Sequence, residues 1–400
     1  MSRTPRIAII GGGIGGLAAG LALHRRGLDV MVYEQSPRLS EIGAGLGMAP
    51  NAIKACRSLG IEDAVVAAGC APEFQIMRSW RSGRVISQQP LRDNSSKFGA
   101  PHLTLHRADM LEILARALPE ASVRLAARCV AVTPGATVAT ARFADGSEIE
   151  ADIIVGADGI HSTVRTSLFG TEAPRFTGCV CYRGLVPIGD LPPTINVKDN
   201  ILWMGPHGHI VHYPVRGGEL LNIVAHIDSD SWTEESWNRE CEQAELTATY
   251  PRWHPALQEL FRGTPRWYKW ALYDREPLAR WRRGRVTLLG DSAHAMLPYL
   301  GQGAAMAIED GCVLASCLAG PPDDLDAALE RYEALRRPRT RRAVLGSRAR
   351  ATENHLASPW ARLKRDARVA IRNRFAADKT VFQAAWLYAY DVGHPDDLPR

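Results

Sequence analysis

The chain has 400 residues, more than one compact core usually holds, so two or three cores are expected. Hydrophobic residues make up 46% and charged residues 23%, ordinary for a globular protein. No stretch approaches the roughly 18 uninterrupted apolar residues of a membrane-spanning helix. The net charge of +5 comes with no nucleic-acid-binding motif.

Met1-Ser2-Arg3-Thr4-Pro5 leads straight into Arg6-Ile7-Ala8-Ile9-Ile10, without the apolar region of a signal peptide, so a cytoplasmic protein is expected. That β-branched run reads as a buried parallel strand. A glycine-rich turn follows from Gly11 to Gly16, then a leucine- and alanine-rich helix that Gly27 ends, then a second strand from Asp29 to Glu34. Right-handed crossover makes this βαβ unit the opening of a doubly wound α/β sheet. Gly11, Gly13 and Gly16 form G-x-G-x-x-G, with Gly15 inside the loop. The glycines permit a tight turn and close approach of a pyrophosphate, which the helix N-terminus attracts. Glu34 stands where an acid can hold ribose hydroxyls. The motif predicts a dinucleotide site without separating FAD from NAD.

Further on, Gly43-Ala44-Gly45-Leu46-Gly47 precedes Pro50, a possible helix start. Asp145-Gly146 reads as a hairpin turn, and Ile153-Ile154-Val155 as another buried strand. From about Cys179 to Tyr273 the pattern becomes strands with Pro and Gly turns, expected to form an inserted sheet. Val286-Thr287-Leu288-Leu289 resumes the parallel type, and the remainder after about Ala304 reads as helical. The eight cysteines lack metal-ligand spacing and read as buried or half-buried free thiols; no metal site is expected. Arg336, Arg337, Arg339, Arg341 and Arg342 read as a solvated basic helical face.

Two more motifs sit at strand ends, where open α/β sheets bind ligands. Asp158-Gly159, with Ser162 and Arg165, follows Ile153–Val155; Gly290-Asp291-Ser292-Ala293-His294 follows Val286–Leu289. Either Asp alone reads first as a helix cap. Together with the glycine loop they resemble the single-component FAD-dependent aromatic hydroxylases, which include salicylate and 3-hydroxybenzoate 6-hydroxylases. The resemblance spans almost the whole chain. It implies that Asp291 binds the ribityl chain or pyrophosphate of FAD and that the Asp158 segment approaches both FAD and NAD(P)H. It also implies that Arg107 contacts the ADP half and that the loop around Gly45 lies beside the isoalloxazine. Pro298-Tyr299-Leu300-Gly301-Gln302-Gly303 precedes a helix opening at Ala304, whose N-terminus can stabilise negative charge on a reduced flavin. The absence of a second dinucleotide motif implies transient binding of NADH or NADPH.

The implied architecture is a discontinuous FAD-binding domain (1–75, 100–172 and 275–345), an inserted mixed β-sheet substrate domain (76–99 and 173–274), and a helical C-terminal segment (346–400). Alternation on a strand puts His209, Val211 and Tyr213 on one face, Ile210 and His212 on the other. By resemblance, His209 and Tyr213 line the substrate pocket. There the flavin C4a-hydroperoxide meets a phenol, and a base that forms the phenolate lowers the barrier. His209 is the expected base or proton relay, and Tyr213 a hydrogen-bonding partner of the substrate. Pro298, also expected at the substrate, stands where some 3-hydroxybenzoate 6-hydroxylases have glutamine, so the ring position of attack stays open. The expected partners are a small aromatic acid and O2, in a monomer or homodimer. A hydroxynicotinate-type pyridine, a quinolone or another secondary metabolite is the alternative substrate, and a non-oxygenating FAD dehydrogenase the alternative enzyme.

Overall fold

The structure is a computed structural model and describes residues 4–39, 44–230, 239–319, 324–375 and 385–394, the side chains of 373–375 excepted. Its first layer is a five-stranded parallel sheet in the order Val286–Leu288, Ile153–Gly156, Arg6–Ile10, Asp29–Tyr33, Val123–Arg124. Ile7, Ile9, Val32, Ile153, Val155 and Val286 are all buried, as a sheet covered on both faces requires. Helix Ile14–His24 returns across it, with nine of its residues buried. Helix Gly303–Leu318 packs against that helix almost backbone to backbone: a Cβ on Gly311 would lie 2.7 Å from the Ala19 Cα. The small residues of both helices therefore set the spacing of this layer. Asp145-Gly146 turns the predicted hairpin within a three-stranded antiparallel sheet, with Gly146 at φ +84°.

The second layer is an eight-stranded sheet in the order Glu240–Cys241, Trp267–Asp274, Arg175–Pro187, Leu220–Asp228, Gly208–Val215, Asn200–Gly205, Phe74–Ser79, Val85–Pro90. Asn200–Gly205 runs parallel to Phe74–Ser79, and the other pairs are antiparallel. The sheet is mixed because that early segment, more than a hundred residues away in sequence, joins its edge. One face is covered by helices Gln243–Thr249 and Pro255–Gly263 over an aromatic core of Tyr182, Trp203, Tyr250, Trp253, Phe261 and Trp267. Burying each such ring contributes on the order of 2 kcal/mol or more. The opposite face carries Cys179, Cys181, Arg183, His226, His209 and Tyr213, and approaches the first layer at Gly45 and Tyr299. Trp203 and Tyr182 thus belong to the helix-covered core, while Met204 and Arg183 share the other face.

The C-terminal part is helical: Leu325–Asn354, with Pro338 inside it, and Pro359–Phe375. The basic run corrects one expectation. Arg336 and Arg339 are buried, whereas Arg341 and Arg342 are exposed. Residues three apart share a helix face, and here that face meets buried acids on the neighbouring helix. All eight cysteines are free thiols, five of them buried. Among the described residues, no helix is long and apolar enough to cross a membrane.

Candidate functional site

In the glycine loop, close packing demands glycine at Gly11, Gly15 and Gly16. Gly11 has φ +111°, and a Cβ there would lie 2.4 Å from the Ala157 carbonyl oxygen. A Cβ on Gly16 would lie 1.9 Å from the Gly11 oxygen, and one on Gly15 would press on Leu289 and Ala307. Gly13, by contrast, opens onto empty space within 4 Å, at the start of helix Ile14–His24. This leaves a cradle bounded by a helix N-terminus, suited to a diphosphate. Glu34 accepts hydrogen bonds from the Gly12 N–H (2.6 Å) and the Ser36 N–H (2.8 Å). A carboxylate has about four acceptor positions, so the backbone orients this one and leaves capacity for a diol.

The two strand-end acids differ. Asp158 accepts from the Ser162 hydroxyl (2.5 Å), the Val164 N–H (3.1 Å) and the Ser292 hydroxyl (3.2 Å). It therefore steadies the start of helix Thr163–Phe169 and ties the two motifs together; burial raises its pKa against those bonds. Asp291 is exposed, and among the described residues no hydrogen bond or ion pair holds its carboxylate. Its turn is held from beneath. Asp310 accepts from the Gly290 N–H (2.9 Å) and pairs with His294 Nε2 (2.6 Å) and Arg336 Nε (2.7 Å). Glu309 beside it pairs with Arg336 and Arg339 and accepts from Asn51, whose amide also reaches Gln302. Arginines and histidine hold both acids below the usual carboxylate range despite complete burial, Asp310 at about 2.

Gln302 is the N-cap of helix Gly303–Leu318, so the same network supports the turn at Pro298–Gly301. Gly301 (φ +61°) and Gly303 both face open space, Ala304 is half-buried, and Pro298 is exposed. Across the gap, strand Gly45–Met48 pairs with Leu103–His106, and the Arg107 N–H donates to the Ala44 carbonyl (2.8 Å). Half-buried Arg107 therefore starts its helix beside Gly45. The Gly45 N–H donates to Asn222 Oδ1 (2.9 Å), and a Cβ at this position would lie 2.5 Å from Tyr213 Cε2. Gly43 lies outside the described residues.

The sheet face above carries the polar groups. Tyr213 is buried, and burial pushes its phenol pKa up. Arg183, also buried, lies 3.8 Å over the Trp270 ring. His209 stacks on His226 at 4.4 Å and 7°, with Tyr299 5.3 Å away. Its Nδ1 is 3.1 Å from His355 Nε2. Burial, with His226 and His355 beside it, holds the His209 imidazole well below its ordinary range.

The family model for the FAD binding domain matches residues 4–347. The chain belongs to that family. It is 38% identical over 389 residues to the 3-amino-4-hydroxybenzoate 2-monooxygenase of Streptomyces platensis, covering 97% of this chain and 96% of the relative. It is 40% identical over 325 residues to the 6-hydroxynicotinate 3-monooxygenase of Pseudomonas fluorescens, covering 80% and 83%. A salicylate hydroxylase in complex with substrate superposes with a TM-score of 0.84 at 28% identity, covering 99% of this chain and 98% of that one. HpxO of Klebsiella pneumoniae, solved with FAD and uric acid, gives 0.83 at 29% identity, with 94% and 95% covered. The enzyme is an FAD-dependent aromatic-ring monooxygenase with the mixed α/β architecture of the salicylate hydroxylase type.

His212 does lie on the opposite sheet face, accepting from Trp203 Nε1 (3.1 Å), and His207 sits in the turn before its strand at φ +57°. His294 orders the Gly-Asp turn through Asp310. Asn51, Glu309, Asp310, Arg336 and Arg339, however, form one buried network that no local motif announces. The fold also gathers Cys179, Asp228 and His355, with ligand atoms within 4.8 Å of one another, although the sequence suggests no acid-plus-histidine metal site. Burial pushes the Cys179 thiol up to about 12, and a protonated thiol is a poor metal ligand. Their common signal is separation: each partner lies tens to hundreds of residues from the next.

Proposed function

We propose that the enzyme hydroxylates a small hydroxylated aromatic acid of the hydroxybenzoate class, drawing on NADH or NADPH and O2 in the cytoplasm. The observation that carries this reading is the sheet face opposite Gly45, where an imidazole and a phenol on Gly208–Val215 and a guanidinium on Arg175–Pro187 share one side of the sheet, with Leu220–Asp228 between the two strands. His209 takes the proton of the ring hydroxyl, a contribution typically worth about 10²–10⁴-fold. Tyr213 hydrogen-bonds the substrate, and Arg183 supplies positive charge for a carboxylate. A hydroxypyridine acid offers the same groups, and the 40% identity to a 6-hydroxynicotinate monooxygenase keeps it as the second reading.

The cradle fits FAD. Gly11, Gly13, Gly15 and Gly16 would receive the pyrophosphate, Glu34 the ribose diol and Arg107 the ADP half. Asp158 and Asp291 would flank the ribityl chain, while Gly45, Pro298, Gly301, Gly303 and Ala304 would border the ring. When bound, FAD supplies the reduction by nicotinamide and the activation of O2. The residues around it orient the acid, exclude water from the sheet face and hold the hydroxyl proton.

The test is O2 uptake and NADH or NADPH oxidation by FAD-loaded enzyme against salicylate, 3-hydroxybenzoate, 3-amino-4-hydroxybenzoate and 6-hydroxynicotinate. Stimulation by one acid, with oxygen from O2 in its product, is expected. Reduction of an artificial acceptor with no oxygen entering any product refutes the hydroxylase reading. His209→Ala should retain FAD yet lower product formation at least about tenfold and divert NAD(P)H to peroxide. Loss of FAD from that variant would mark His209 as structural.

A further inference from the structure

His209 reaches beyond its own sheet. Its Nδ1 is 3.1 Å from His355 Nε2, and His355 Nδ1 is 2.5 Å from Asp228 Oδ1. His355 caps the C-terminus of the long helix Leu325–Asn354, and its side chain is buried. Asp228 ends strand Leu220–Asp228, and its side chain is 41% exposed. The three residues thus form one line of hydrogen bonds from a buried strand face to solvent.

We infer that Asp228 and His355 are positioning residues that set the tautomer of His209 and carry its proton. A carboxylate only accepts, so His355 donates from Nδ1 and its Nε2 must accept. His209 then donates from Nδ1, which leaves the lone pair of its Nε2 for the substrate. No other arrangement of protons satisfies both bonds with neutral rings. When the substrate O–H bond breaks, its proton forms the Nε2–H bond of His209. The Nδ1–H bond of His209 breaks in turn, and that proton joins His355 Nε2. The result is a phenolate and a His355 imidazolium paired with the Asp228 carboxylate. The chain run in reverse reprotonates the product oxygen.

The surroundings favour this transfer over charge resting on His209. His209 faces His226 and Tyr299, with Arg350 and Arg365 nearby, so a retained proton there has no adjacent anion among the described residues. His355 faces Asp228, the Tyr299 ring and the Cys179 thiol; Asp228 also has His207 Nδ1 at 3.5 Å. Tyr299 donates to Cys179 Sγ (3.3 Å) and so takes no part in the line.

The inference rests on the hydroxy-acid reading above, and the test separates the two. The probe is 4-hydroxy-3-nitrobenzoate, the nitro analogue of a relative's substrate, whose phenolate absorbs in the visible. Its ionisation is titrated on FAD-loaded wild type, Asp228→Asn and His355→Gln. The apparent pKa of the bound probe should rise by at least one unit in both variants, with FAD content unchanged. Turnover of the substrate should fall at least tenfold near neutral pH and recover at alkaline pH, where phenolate forms unaided. A structural defect would not be rescued by pH. Identical probe titrations in all three FAD-loaded proteins overturn the relay. Failure of the probe to bind wild type at any pH refutes the hydroxy-acid reading, and the relay with it.

Discussion

Replacing Asp310 with asparagine tests the buried network that underlies the Gly290-Asp291 turn. The native carboxylate accepts from Gly290, His294 and Arg336 in a fully buried setting. Its pKa falls from 3.8 to about 2, and a shift of that size corresponds to roughly 2 kcal/mol of stabilisation. Bond counting agrees in scale. An amide cannot accept from all three donors, but Arg336 keeps Glu309 at 2.8 Å, so the loss stays near the lower end of the 3–5 kcal/mol range for broken buried pairs. At about 3 kcal/mol, a chain of this length unfolding as one unit should melt about 3–4 °C lower. The sign with pH follows from a depressed pKa: the contribution is full above 3.8 and is lost as pH falls through about 2. The gap between wild type and Asp310→Asn, read by thermal unfolding, should therefore be constant near neutrality and shrink below about pH 4. FAD affinity should also drop about fivefold, the equivalent of one net hydrogen bond, as the turn loosens. A melting difference under 1 °C at pH 7, or one that widens on acidification, would refute the reasoning.

Gly45→Ala should impair catalysis more than folding. The added methyl would sit 2.5 Å from Tyr213 and 2.8 Å from Asn222 Cγ, so the loop or the phenol must move. A loss of kcat/KM with little change in melting temperature is expected; wild-type kinetics would show that the loop yields freely. Glu34→Ala removes the acceptor oriented by Gly12 and Ser36 and should weaken FAD binding by about tenfold, the worth of a charged hydrogen bond. A fluorescence titration showing unchanged affinity would detach Glu34 from the cofactor.

The sequence by itself determined the parallel sheet opening, the glycine loop with Glu34, and the placement of Asp158 and Asp291 at strand ends. Each is a short-range pattern: strand, turn and helix follow one another within a few residues, and backbone geometry does the rest. It also placed His209 and Tyr213 on one face, because side chains alternate along a strand. Tertiary structure alone decided which groups those faces meet. Arg336 and Arg339 look like surface charge until helix packing sets them against Glu309 and Asp310. His355 and Asp228 lie 146 and 127 positions from His209 and His355 respectively, and only the docking of the long helix against the mixed sheet aligns them. Burial decided the chemistry as well. The His209 imidazole is desolvated, because the packing of two layers, absent from any local window, removes the water that would stabilise its charge.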